Sequence, residues 1–384
     1  NHDRKTSDLI NMTAAVFATD SFTSRSWIFL VKTIYYINLF LVLGDYILVM
    51  GRSVAAFFGE DNICLPTAGA IASVFMFGLC QFRTMANLGR SVSLASLLAL
   101  LIVLVQCLFH HHHRNDNNSN VYIHTDSFDG NSTDIYTNST ELPPTRLLQE
   151  DDDGVWGKFS SLAGIGFAVG SQKLFLNIRH ELQHREKASK VLGGSLLTYG
   201  TAYVGVVLLA GPDPPSFLFD AIPEGWGRRM AGLLLWFHVA VSYAINSQAL
   251  CASIDHNMTA STTSNGTRAK LRNHPAVRWF GITLMVSVSS YLVSNSVPFF
   301  KDLVALIGAL TSVPLSLTLP AILYRRARSI ALFLPDFCRC RGNGSYLLLW
   351  YSFAFLAVGL IGALTEIDED WLSQGKPFAC HEEE

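Results

Sequence analysis

Charge is what this chain has least of. Only 15% of its 384 residues are Asp, Glu, Lys or Arg, whereas half are apolar, and the formal net charge is −2. That length could hold two or three soluble domains, but soluble domains carry more charge than this, so the balance points to a membrane protein. No basic run with interleaved aromatics is present, which removes nucleic acid from the expected partners. No segment has the charged start, short apolar core and small-residue cleavage site of a signal peptide. The chain opens on Asn1 rather than Met, and the expectation is a processed product or a fragment. Seven cysteines, an odd number scattered along the chain, suggest no disulfide framework. Most read as small apolar residues within helices, and Cys338 and Cys340 as reduced thiols in a basic loop.

What the chain has instead is apolar residues gathered in blocks of about 20, the length a helix needs to cross a ~30 Å hydrocarbon core. Nine such blocks predict an all-α integral membrane protein with nine transmembrane helices in a lipid bilayer: Trp27–Phe57, Pro66–Phe82, Val92–Phe109, Phe159–Ile178, Val191–Ala210, Met230–Ile254, Ala276–Val297, Leu303–Tyr324 and Tyr346–Thr365. Lysine and arginine are retained on the cytoplasmic face. Arg83 and Arg90 follow the second block, Arg179, Arg185, Lys187 and Lys190 the fourth, Arg268, Lys270, Arg272 and Arg278 the sixth, and Arg325, Arg326 and Arg328 the eighth. Alternate loops agree, so the N-terminus is expected inside and the C-terminus outside. The outer stretch 110–157 is rich in Asn, Ser, Thr and Asp and reads as disordered. It holds sequons at Asn117, Asn131 and Asn138, expected to be glycosylatable, whereas those at Asn11, Asn257, Asn265 and Asn343 fall inside and are expected to stay bare.

Two histidine patterns suggest metal. The tetrad His110–His113 lacks a completing Cys or carboxylate pattern and reads as incidental. NIRHELQH, residues 177–184, spells H-E-x-x-H, in which two histidines bind zinc and the glutamate activates water. Around His180, Glu181 and His184, however, the residues are basic and no third ligand follows at a familiar offset. A membrane metalloprotease is therefore the remote alternative, and neither metal nor any cofactor is expected.

Just upstream, Gly164, Gly166 and Gly170 fall within seven residues of the fourth block. Each glycine costs a helix interior about 1 kcal/mol against alanine. A break is expected there, and broken helices survive at membrane depth only where the freed backbone groups face a cavity or ligand. The competing reading is close helix packing through small residues. In the first block, Asn38, Asp45 and Arg52 recur every seven residues and share a face. Asp45 lies well inside the span, where a carboxylate is by default a functional-site hypothesis. In the sixth block, His238, Ser242 and Asn246 form a second polar stripe.

Three stretches carry a resemblance: YYINLFLVLGDYILVMGRSV, GIGFAVGSQKLFLNIRHEL and FHVAVSYAINSQALCASID. Together they resemble the amino acid/auxin permease family of the amino acid, polyamine and organocation superfamily, over nearly the whole chain from about Leu9. The resemblance implies an eleven-helix, inverted-repeat carrier, N-in and C-out, of which this chain matches helices three to eleven and lacks the first two. It implies a cytoplasmic segment 1–26, three helices of the first repeat over 27–109, the outer loop 110–157 and a five-helix second repeat over 158–324. A basic inner loop 325–345, a last helix 346–365 and an acidic outer tail 366–384 follow.

Activity is expected to be secondary active transport of amino acids by alternating access, coupled to protons or sodium. The family's broken helix corresponds to the fourth block, so Gly164, Gly166, Phe167, Ala168, Gly170 and Ser171 are expected to line the substrate site. Asp45 or His238 would carry the coupled proton, or Ser242 with Asn246 the sodium ion. Asn177 and Glu181 would form an inner gate. The other possibility is a truncated or non-transporting sensor or partner subunit, which the absent helices favour. A plasma membrane and an acidic endomembrane compartment fit equally well.

Overall fold

A computed structural model of the chain describes residues 9–17, 21–59, 62–81, 89–125, 155–170, 175, 179, 184–211, 214–262, 275–297, 299–330, 342–374, 378 and 380. Among them every regular element is helical: α1 Leu9–Val16, α2 Ser21–Phe58, α3 Leu65–Cys80, α4 Gly89–Thr125, α5 Val155–Val169, α6 Ala188–Ala210, α7 Trp226–Thr262, α8 Pro275–Ser296, α9 Phe300–Ile307, α10 Leu319–Ile330 and α11 Gly342–Gln374. Two π-helical turns, Gly308–Ser312 and Pro314–Thr318, join α9 to α10. Seven described helices are long and apolar enough to cross a membrane, and α3 is a shorter apolar one. With α5, each of the nine predicted blocks coincides with a helix over its described residues. The differences lie at their ends. The third helix runs 16 residues past Phe109, into the stretch expected to be disordered, and carries Asn117 on it. In the segment expected to be only a cytoplasmic lead, α1 is helical.

Helix α2 is the spine. Its 38 residues span about 57 Å at 1.5 Å per residue, more than a bilayer core, so it tilts or protrudes. It packs against α7, α3, α8 and α9. Close approach is possible because glycines sit at the crossings. A Cβ on Gly44 would lie 2.3 Å from Val293 of α8, one on Gly51 3.2 Å from the backbone of Gly69 in α3, and one on Gly232 of α7 3.0 Å from the Ser53 carbonyl. Without a hydrophobic drive between helices in lipid, such small-residue contacts carry the packing. In α8 the buried Thr283, Ser290, Ser294 and Asn295 hydrogen-bond mainly along their own helix, and Thr283 also accepts from Gln81 Nε2 at the end of α3, at 2.8 Å.

A second junction joins α5, α9 and α11 through Ala163, Ala305, Ala309 and Ala363. A Cβ on Gly308 would come within 1.9 Å of the Ala163 carbonyl, and one on Gly359 within 3.1 Å of the Ala163 Cβ.

Contacts between helix ends show which ends share a side. Arg52 near the end of α2 meets Asp220 before α7 at 3.7 Å. Nε2–H of His111 in α4 donates to the Ala210 carbonyl at the end of α6, at 2.7 Å. Lys301 of α9 meets Glu366 of α11 at 3.1 Å. On the opposite side Arg278 of α8 forms a two-point pair with Asp255 of α7. These are the pairings the alternating loops require.

One expectation is overturned. Cys64, at the turn between α2 and α3, is disulfide-bonded to Cys380 beyond α11, across 316 residues. Spacing carries no signal for a pair so distant, but two odd-side loops of a multi-pass chain come together once the helices bundle. Cys80, Cys107 and Cys251 are buried free thiols, as expected for small apolar residues. Cys338 and Cys340 lie outside the described residues.

Candidate functional site

The glycine-rich block forms regular helix through Gly164 and Gly166, and that helix ends at Val169. Residues 171–174, just beyond Gly170, lie outside the described residues, and what the helix shows is the packing reading. Gly164 and Gly166 pack: a Cβ on Gly166 would lie 2.7 Å from Val313 and 3.0 Å from Phe355, and one on Gly164 3.8 Å from Val304. Gly170 marks the end of the helix, and a Cβ there would lie 2.7 Å from the Ser312 Cβ and 2.9 Å from its Oγ. Phe167 is half-buried against the apolar cluster that includes Val42, Leu303 and Ile307, and Ala168 is half-buried. Ser171, Asn177, His180 and Glu181 lie outside the described residues.

The partner of this end is the π-helical stretch between α9 and α10. Pro314 has no N–H and its ring displaces the carbonyl four residues back, so the helix widens there rather than holding α geometry. Its polar residues Thr311, Ser312 and Ser316 are buried. Asn38 of α2, wholly buried, donates through Nδ2 to Thr311 Oγ1 at 2.7 Å and to Ser312 Oγ at 3.2 Å. Asn38, Thr311, Ser312 and Gly170 thus converge from three elements. Asp45 is buried two turns along α2 from Asn38, an axial rise of about 10 Å. Arg52, two turns further, pairs with Asp220.

The second stripe does not join them. Nδ1–H of His238 donates to the Ser96 carbonyl at 3.1 Å and lies 2.9 Å from the Ser96 hydroxyl, tying α7 to α4. Ser242 Oγ and Asn246 Nδ2 hydrogen-bond to carbonyls of α7 itself, at 3.2 and 2.9 Å. The residues missed by sequence reading are Thr311, Ser312 and Ser316. A signal existed, because LIGALTSVPLSLT, residues 306–318, puts a glycine and a proline around hydroxyls within one apolar block. That makes a second interrupted helix where only one was visible.

As for metal, His184 pairs with Glu186 at 3.3 Å and is exposed. His111 is engaged in helix packing. Asn131 and Asn138 lie outside the described residues, and Asn117 sits on α4.

Comparison with known families adds an independent finding: a family model described as transmembrane amino acid transporter protein aligns with residues 12–365. The chain belongs to this family. A search of curated proteins and one of solved structures each returned no match. As a member of the transmembrane amino acid transporter family, the chain is a multi-pass membrane protein, and the general activity is movement of amino acids across a lipid bilayer.

Proposed function

We propose that this transporter works as a proton- or sodium-coupled carrier whose substrate site lies at the end of α5, with Gly164, Gly166, Phe167, Ala168, Gly170 and Ser171 at or behind it. The observation that carries the reading is the meeting of Gly170 with Ser312 and of Ser312 with Asn38. A helix ending among hydroxyls and a buried amide, beside a π-helical stretch, supplies backbone groups for an amino acid's charged ends. Asp45 supports proton coupling by its burial. His238, whose Nδ1 is engaged by Ser96, supports it less, and Ser242 with Asn246 gives sodium little beyond its helix. Asn177 and Glu181 serve as the inner gate. Glycans on Asn131 and Asn138 would face outward, in a plasma or acidic endomembrane. Uptake of labelled amino acids into proteoliposomes tests it: Asn38→Ala should lower flux at least tenfold, and Ser96→Ala, at the α4–α7 packing contact, should not. Equal flux in the two removes the site.

A second reading, a subunit working with a partner membrane protein, has one observation in its favour. In α6 none of the apolar window is buried, and nothing lies within 4 Å of a Cβ added at Gly193, Gly194, Gly200 or Gly205, among the described residues. Copurification of a second membrane protein from native membranes, with no flux by the chain alone, would support it over the first.

A further inference from the structure

At the start of α9 a buried carboxyl group meets no donor. Asp302 is only 1% exposed, and neither of its carboxylate oxygens has a hydrogen-bond partner among the described residues. It sits in the first turn of α9, one turn before Ala305 and the junction of α5, α9 and α11. The charged groups acting on it are Asp370 and Glu366 of α11 and Lys301 beside it; none comes from α2 or α5, which also pack on α9. Glu366 and Asp370 are four residues apart, so both face α9 from one side of α11. Lys301 meets Glu366 at 3.1 Å, and one ammonium group does not neutralise three carboxyls.

Asp370 stands at hydrogen-bond range of Asp302, yet an ionised carboxylate only accepts hydrogen bonds. Two of them in contact repel, and burial away from water adds to the cost. One proton removes both penalties, because the protonated group then donates to the other. The single negative charge that the pair keeps is favoured by Lys301 and by the positive end of α9 itself.

We propose that Asp302 and Asp370 bind one proton between them, and that this proton fastens the end of α11 to the start of α9. A metal ion would compete for such a place, but among the described residues no group of three His, Cys, Asp or Glu is placed to hold one. Both helix ends lie on the side that carries the Cys64–Cys380 disulfide, so the proton comes from that side. Its loss turns the fastening into a repulsion. Because α9 runs on to Gly308, seated against the Ala163 carbonyl of α5, acidity on that side bears on the junction behind the end of α5. Binding of the proton does not rest on the transport reading.

The test reads the proton itself. Infrared spectra of the purified full chain in lipid nanodiscs, in water and in deuterium oxide, show the carbonyl stretch of protonated carboxyls. Free Asp and Glu, with pKa values of about 3.9 and 4.3, are ionised at neutral pH, so a band there reports carboxyls that hold protons. Asp302→Asn and Asp370→Asn should each remove the same component, about one carboxyl per chain, and leave whatever Asp45 contributes. Asparagine supplies a donor without charge, so Asp302→Asn should keep the thermal midpoint at neutral pH. In the unaltered protein the midpoint should fall as pH rises above the ordinary carboxylate range until the band is gone. A proton held in the folded state and released on unfolding lowers the folded-to-unfolded ratio up to about tenfold per pH unit, and Asp302→Asn should flatten that fall. The inference is overturned if neither substitution removes a protonated component. It is overturned too if calcium chloride raises the midpoint of the unaltered protein and Asp302→Asn abolishes the rise, which makes the cluster a metal site. Should one variant fail to fold, the other reads the same component, and a midpoint of the unaltered protein indifferent to pH overturns the inference without either. Uptake by the same preparation separates the outcomes: the band without flux ends only the transport reading, and flux without the band ends this inference alone.

Discussion

One methyl group at Gly170 should disable the site. In Gly170→Ala the new Cβ would start 2.7 Å from the Ser312 Cβ, whereas carbon atoms settle at about 3.5–4.0 Å. The end of α5 and the π-helical stretch must then part by about 1 Å. Neither side yields easily, since the atom met is a Cβ rather than the tip of a flexible side chain. Overpacking of this kind costs about 1–3 kcal/mol, or about 5- to 150-fold in any equilibrium that needs the closed contact. Ser312 is also held at 3.2 Å by Asn38 Nδ2, so any shift of Ser312 disturbs that hydrogen bond as well. Proteoliposome uptake, with thermal midpoints of the purified protein, should show both losses. Ser312→Gly removes the colliding carbon, so the double variant should resemble Ser312→Gly alone, with a coupling of about 0.5–3 kcal/mol. Gly193→Ala, in α6 with nothing among the described residues within 4 Å of the added carbon, serves as the control and should be neutral or slightly stabilising. The reasoning fails if Gly170→Ala matches the unaltered protein, or if the losses in the double variant simply add.

Other expectations follow from the same contacts. Breaking the Cys64–Cys380 disulfide by Cys64→Ser should lower stability by about 2–4 kcal/mol and leave Cys380 open to a membrane-impermeant maleimide from the outer side only; labelling from the inner side would reverse the topology. Losing one partner of the Arg278–Asp255 pair should cost about 1.5–3 kcal/mol, partly regained in the charge-swapped double variant, as thermal midpoints would show; additive losses would mean the pair does not couple. Glycosidase treatment of the expressed protein should reveal glycans at Asn131 and Asn138, none at Asn265 or Asn343, and little at Asn117, whose sequon lies on α4 rather than in a loop.

The membrane helices were legible because apolar blocks of bilayer length leave few alternatives. The glycines Gly164, Gly166 and Gly170 read as a break in the fourth block, whereas the first two seat neighbouring side chains within a regular helix. Direction was not legible. The stripe His238, Ser242, Asn246 has the spacing of a polar path, yet His238 reaches across to Ser96 and the other two bond to their own backbone, because periodicity gives a face and not the neighbour it meets. Asn38 read as one member of a stripe; its role came from Thr311 and Ser312, 273 and 274 residues away. The disulfide was hidden for the same reason, as only the assembled bundle brings those two loops together.

The central claim, a coupled carrier with its site at the end of α5, is tested most directly by uptake of a labelled amino acid mixture into proteoliposomes holding this chain, under an imposed sodium or proton gradient. The account predicts saturable uptake that collapses when the driving gradient is dissipated and that Gly170→Ala lowers by at least fivefold. Flux equal to protein-free vesicles under both gradients, or gradient-driven flux indifferent to Gly170→Ala, would contradict it.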